Sequence, residues 1–174
     1  MKRVCAWCRK DMETILPENH SEDVITHGIC EECMKTVFAA SKTEMVTFLD
    51  GFAAPVLVVD ETGSVVTVNK QARVLIQKSL SDIEGFKGGD VFECAYSKLP
   101  GGCGETIHCD GCTIRNTVMD TFQSGRSHLK TPAYLYTGSP DDYTKVDFLI
   151  STERVKEFVL LRIDKVGNNE DIQP

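Results

Sequence analysis

Residues 54–76 read APVLVVDETGSVVTVNKQARVLI. Two runs rich in β-branched residues, APVLVVD at 54–60 and ETGSVVTVN at 61–69, flank a turn at Gly63, which is the pattern of a β-hairpin. KQARVLIQKSL at 70–80 then reads as a short helix. Further along, CTIRNTVMDTFQSG at 112–125 places Ile114, Val118 and Phe122 on one helical face and stops at Gly125, a favoured helix-ending residue. Three strands are expected after it: HLKTPAYLYT at 128–137, TKVDFLISTE at 144–153 with Val146, Phe148 and Ile150 alternating, and KEFVLLRIDKV at 156–166. The turn GSPDD at 138–142 separates the first two. Two strands, several short helices and three more strands predict an α+β domain, a five-stranded antiparallel sheet with helices gathered on one face.

The length of 174 residues suits one such domain plus a small module. A formal charge of -7 and the lack of any Lys/Arg run argue against nucleic acid or anionic membrane as a partner. No apolar signal segment opens the chain and no stretch approaches the roughly 18 apolar residues of a membrane span, so a cytoplasmic protein is expected. In that setting the eight cysteines point to metal binding before disulfides. They form two groups, Cys5, Cys8, Cys30 and Cys33, then Cys94, Cys103, Cys109 and Cys112, with sixty cysteine-free residues between them. Four and four is what two thiolate sites need.

In the first group CAWC and CEEC lie twenty-one residues apart, and each short turn aims two sulfurs at one point. That is the ligand pattern of structural zinc. His20 and His27 lie between the pairs and read as bystanders, because four thiolates suffice. Trp7, Ile15, Leu16, Val24, Ile25 and Ile29 are the candidates for a small core, so metal is expected to supply much of the folding energy. Lys2, Arg3, Arg9 and Lys10 are offset by Asp11, Glu13, Glu18, Glu22, Asp23, Glu31 and Glu32, which favours protein contact or structural support over nucleic-acid binding. From Glu31 to about Phe52 no proline or interior glycine interrupts the chain until Gly51, and Met34, Phe38, Ser41, Met45, Phe48 and Phe52 step by threes and fours. An amphipathic helix laid on its own domain and a helix-mediated homodimer both satisfy that pattern.

The segment FLDGFAAPVLVVDETGSVVTVNKQARVLI at 48–76, followed by EGFKGGDVFEC at 84–94, resembles the opening of a PAS domain, with Pro55, Asp60, Gly63, Asn69 and Ala72 matching as they stand. The resemblance covers about residues 42–166 and implies a sensory or dimerising module whose cavity holds haem, flavin, an organic ligand or nothing. HGICEEC at 27–33 is similar to the end of a short cysteine module that precedes PAS domains in some bacterial signalling proteins, with Glu31 in place of its usual proline. The expected division is therefore a zinc module at 1–34, a linking helix at 35–52, a PAS-like domain at 42–166 that overlaps the linker, and a polar tail at 167–174.

Within this layout FECAYSKLPGGCGETIHCDGCTIR at 92–115 occupies the helical face where PAS sensors commonly hold ligands. Its glycines let backbone N–H groups approach a sulfur-rich anionic centre, and the helix after Cys112 adds positive charge at its start. Ligand identity leaves zinc and an iron–sulfur cluster both open, with disulfide pairing as a third state and His108 as a substitute for Cys94. The position is similar to that in iron–sulfur PAS sensors of bacterial oxygen-responsive kinases, whose spacing differs from C-x8-C-x5-C-x2-C. Thr113 after Cys112 excludes a c-type haem motif.

No G-x-S-x-G, P-loop, H-E-x-x-H or kinase signature occurs, and Asp60, Asp82, Asp90 and Asp110 read as turn or cap residues, so no enzyme is expected. With no kinase, cyclase or helix-turn-helix after the PAS-like part, output is expected through a partner of the histidine kinase or response regulator kind. The leading expectation is a sensor of redox, oxygen or metal state acting through the second cysteine group. The alternative is a passive adaptor in which zinc holds a docking surface and the PAS-like domain dimerises.

Overall fold

The computed structural model describes residues 2–5, 8–12, 25–33, 42–139 and 142–167. The chain divides into two compact units, Met1–Ala53 and Ala54–Pro174.

The second unit is built on a five-stranded sheet: β4 (Val56–Val59), β5 (Val65–Val68), β6 (His128–Ser139), β7 (Asp142–Val155) and β8 (Phe158–Gly167), ordered β5-β4-β8-β7-β6. Every neighbouring pair is antiparallel, as expected. The DETG turn explains the β4–β5 hairpin. Asp60 Oδ1 accepts the N–H groups of Thr62 at 2.8 Å and Ser64 at 3.0 Å, and Gly63 takes the left-handed conformation (φ 80°) that the turn requires. Asn69 then fixes the next corner. Fully buried, it caps helix α2 (Lys70–Ile76) by accepting from Ala72 N–H at 2.9 Å, accepts from Val56 N–H at 2.9 Å and donates to Ala54 O at 2.9 Å. The residues that carry the PAS resemblance at 60, 63, 69 and 72 thus each have a physical task, Ala72 being the fully buried residue of α2.

Two short elements, the 3-10 turn Leu80–Asp82 and helix α3 (Gly88–Val91), lead to the 3-10 turns Ala95–Lys98 and Cys109–Gly111 and to helix α4 (Thr113–Ser124). Gly125 ends α4 with its N–H on Thr121 O at 3.0 Å, as the sequence predicts. Helix and sheet residues share one core: Ala72, Ile83, Val91 and Val118 join Leu57, Val59, Phe148, Ile150, Leu161 and Ile163. All four residues of β4 are buried, which is why its sequence is a continuous apolar run without alternation. Buried Thr121 of α4 and Thr152 of β7 satisfy one another across 2.7 Å.

In the first unit, β1 (Lys2–Cys5), β2 (Asp11–Met12) and β3 (Ile25–Gly28) form a small sheet ordered β2-β1-β3, with β1 antiparallel to β2 and parallel to β3. Residues 31–33 are helical, and helix α1 spans Lys42–Leu49. Met45, Phe48 and Phe52 of the expected apolar stripe are buried, and the rings of Phe48 and Phe52 meet edge to face at 5.4 Å. Met34, Phe38 and Ser41 of that stripe lie outside the described residues, as do His20, Trp7, Ile15, Leu16, Val24, Pro140 and Asp141 of the turn, and the tail from residue 168. Ile29 of the expected core is buried.

Candidate functional site

The first cysteine group is assembled by backbone pairing. The parallel register sets Cys5 opposite Gly28, which brings the two C-x2-C turns to the same end of the small sheet. After Cys5 the chain folds back: its carbonyl accepts Arg9 N–H at 2.9 Å, its N–H donates to Lys10 O at 2.8 Å, and Arg9 adopts a left-handed φ of 59°. The four sulfurs of Cys5, Cys8, Cys30 and Cys33 lie within 4.8 Å of one another, with Cys8 and Cys30 at 3.6 Å. Tetrahedral zinc with Zn–S bonds of about 2.3 Å needs sulfur–sulfur edges of about 3.8 Å, so this group fits a single zinc ion. Cys30 N–H donates to Cys5 Sγ at 3.4 Å, the kind of bond that supports a thiolate ligand. Burial first, then hydrogen bonds with Cys30, Cys8 and Cys5, push the Cys33 thiol far above its usual value, and a divalent cation is what allows such crowded sulfurs to ionise.

The second group is arranged differently. Cys94 precedes the turn Ala95–Lys98, Cys103 lies in the glycine-rich loop, Cys109 opens the turn Cys109–Gly111, and Cys112 is the N-cap of α4. All four line one cavity of about 390 Å³ whose floor is apolar: Leu57 and Val59 of β4, Phe92, Val118 of α4 and Leu161 of β8. Among the described residues, sulfurs close to single-ion distance only in the first group. The second group surrounds a volume.

Its sulfurs are supported unequally. Cys109 Sγ accepts from Gly104 N–H at 3.1 Å and lies 3.2 Å from Thr106 Oγ1, both buried or half-buried. Burial opposes ionisation of Cys109, yet the Thr106 hydroxyl, the N–H groups of Gly104 and Thr106, and Arg115 together hold its thiol below the usual value. Gly104 reaches that position with φ 99°, which a residue bearing Cβ rarely adopts. Cys103 accepts from Gly89 N–H at 3.3 Å, but burial dominates and pushes its thiol up. Cys112 is likewise pushed up by burial, partly offset by the N–H groups of Arg115 and Ile114 at the start of α4. The backbone donors and the apolar floor suit anionic sulfur ligands, while the sulfurs stand further apart than those of the first group.

His108, considered as a ligand, lines the cavity with its ring stacked on Tyr96 at 3.9 Å. The sequence reading passed over Tyr96, Gly89, Thr106 and Arg115. Tyr96 had a visible signal, an aromatic residue two positions after Cys94; Thr106 and Arg115 lie three residues from Cys109 and Cys112, and Gly89 is brought to Cys103 by the fold across fourteen residues.

No protein-family model matches the sequence, and no curated protein matches it either. Among solved structures the chain is similar to a domain of the sensory box sensor histidine kinase/response regulator from Geobacter sulfurreducens, at 9% identity and a TM-score of 0.45, covering 75% of this chain and 99% of that one. The photoactive yellow protein domain from the sensor histidine kinase Ppr of Rhodospirillum centenum is similar at 13% identity and a TM-score of 0.43, covering 76% and 99%. The Rhodobacter sphaeroides LOV protein is similar at 15% identity and a TM-score of 0.47, covering 73% and 67%. The second unit is an α+β fold, a five-stranded antiparallel sheet sharing its core with the helices. No helix among the described residues is long and apolar enough to cross a membrane.

Proposed function

We propose that this is a cytoplasmic signal-sensing protein whose PAS-like unit responds to redox, oxygen or metal state through Cys94, Cys103, Cys109 and Cys112. Its output is contact with a signalling partner of the histidine kinase or response regulator kind, not catalysis, and it works as a homodimer. The observation that supports this reading is that four cysteines spread over residues 94–112 all line one apolar-floored cavity. Cys5, Cys8, Cys30 and Cys33 hold structural zinc in this reading, and the second group holds zinc or an iron–sulfur cluster. A cluster supplies a charge that changes with redox state, whereas zinc supplies a fixed one. The chain's own part is to present sulfurs on backbone donors, exclude water with Leu57, Val59 and Leu161, and tie the site to α4 through Cys112.

A second reading is a passive adaptor in which zinc holds a docking surface; the single-ion geometry of the first group fits both readings, and the second group decides between them. Metal and sulfide analysis with a visible spectrum separates the two, using protein purified without oxygen beside Cys103→Ser. Iron, sulfide and a visible band lost in Cys103→Ser support the sensor. About two zinc ions per chain, one for each four-thiolate set, with no colour would leave the adaptor as the better reading.

A further inference from the structure

We propose that the Tyr96–His108 stack couples the second cysteine site to the β6–β7 hairpin, so that a change at the sulfurs is delivered to that hairpin. The inference rests on the sensing role given above and assigns the first step of its output. Tyr96 lies two residues after Cys94 and His108 directly precedes Cys109, so each ring is tethered to a different cysteine of the same site. Their rings are parallel to within 9° at 3.9 Å between centroids, although His108 is otherwise exposed. The edge of the Tyr96 cluster is held by the hairpin: Tyr136 of β6 and Tyr143 of β7 each meet Tyr96 at 5.8 Å, at 65° and 70°. These two tyrosines are themselves 6.3 Å apart. One ring therefore touches the cysteine loop on one side and two adjacent strands on the other.

Short tethers and close contact make this junction sensitive. A chain segment of two residues spans at most about 7 Å, so Tyr96 cannot stay in place if Cys94 is drawn far from its position. A gap of about 0.5–1 Å already forfeits a quarter to a half of a dispersion contact. The proposed coupling has the stack, closed at 3.9 Å, part when the sulfurs shift, because Cys94 and Cys109 anchor its two halves. His108 and Tyr96 serve as coupling residues, and the hairpin is the first recipient.

The test is hydrogen exchange on the full chain, purified without oxygen and carrying its own metal, with and without Cys109→Ser in four backgrounds: wild type, Tyr96→Leu, His108→Leu and Tyr96→Phe. Cys109→Ser is expected to speed exchange in the loop 101–112 and, by about fivefold, the worth of one aromatic pair, at amides around Tyr136 and Tyr143. With Leu at position 96 or 108 the loop still responds and the hairpin does not, while Tyr96→Phe keeps the hairpin response. His108→Leu alters an exposed ring, so that arm stands even if Tyr96→Leu fails to fold. A hairpin that responds equally in the His108→Leu background, or that stays silent in wild type while the loop responds, overturns the coupling alone. A loop unmoved by Cys109→Ser overturns the sensing role itself.

Discussion

Gly89 offers a test that separates the cysteine site from general stability. It lies in α3 with ordinary helical backbone, so alanine there meets no conformational penalty. In open helix, Gly→Ala gains up to about 1 kcal/mol. Space is the obstacle: a Cβ at residue 89 would sit 2.6 Å from Cys103 Sγ, 3.0 Å from Cys103 Cβ and 3.4 Å from Ser97 Cβ. The first two contacts are far inside van der Waals range, so Cys103 must leave the position where it accepts Gly89 N–H. Overpacking of this kind costs about 1–3 kcal/mol. The neighbouring Gly88 has nothing within 4 Å of its own Cβ position and makes a matched control in the same helix. Gly88→Ala is expected to be neutral or stabilising in urea unfolding, and Gly89→Ala to fall about 1–3 kcal/mol below it, with faster alkylation of Cys103 by iodoacetamide under native conditions. Equal stability of the two variants with unchanged Cys103 alkylation would refute the claim that Gly89 is kept small to seat that sulfur.

Thr121→Val should cost about 1–3 kcal/mol by stranding the Thr152 hydroxyl, while the double change Thr121→Val/Thr152→Val should recover most of it in the same urea assay; a double variant as unstable as the sum of the singles would disprove the pairing. Asp60 is opposed by burial but held below the usual 3.8 by the Thr62 hydroxyl and the N–H groups of Ser64 and Thr62, with Lys87 adding to them. A lowered carboxyl stabilises the fold above its unfolded value and loses that contribution as pH falls through the folded one, so stability should drop below about pH 3.8 less steeply in Asp60→Ala than in wild type. Parallel acid profiles would count against the turn's carboxylate. Asn69→Ala should cost about 2–4 kcal/mol, since it removes a helix cap and leaves buried Val56 N–H without its acceptor; a loss under 1 kcal/mol in urea would contradict that role. With the first cysteine group holding zinc as proposed, a chelator should expose residues 1–53 to protease while the circular dichroism of the five-stranded sheet persists; simultaneous loss of both would contradict a metal role confined to the first unit.

The hairpin at 56–68 was readable because its determinants are local: β-branched runs, Asp60 and Gly63 for the turn, Asn69 for the cap that follows. Ile114, Val118 and Gly125 were readable for the same reason, a helical period with a stop signal. The strands of the first unit escaped notice because runs of two to four residues are too short to show a period. Cysteine spacing sorted the ligands into two sets of four, but it is silent on whether sulfurs converge on a point or enclose a volume. That distinction depends on the parallel pairing of β1 with β3 in one case and on the packing of α3, α4 and the intervening loop over the sheet in the other. The tyrosine cluster lies further from sequence view, since Tyr136 and Tyr143 become neighbours through the β6–β7 register and meet Tyr96 only once the helical face packs on the sheet.

Strand β6 forms one border of the sheet, and its composition decides how the protein behaves in a crowded solution. Pro132 has no N–H to offer, Lys130 turns the strand through a left-handed φ of 48°, and the ladder is irregular between His128 and Thr131. A passing chain that tried to lengthen the sheet there would meet an interrupted row of donors and acceptors over the first third of the strand. That stretch of the border is thus a poor seed for runaway strand addition, which leaves the sheet to end where its own strands end.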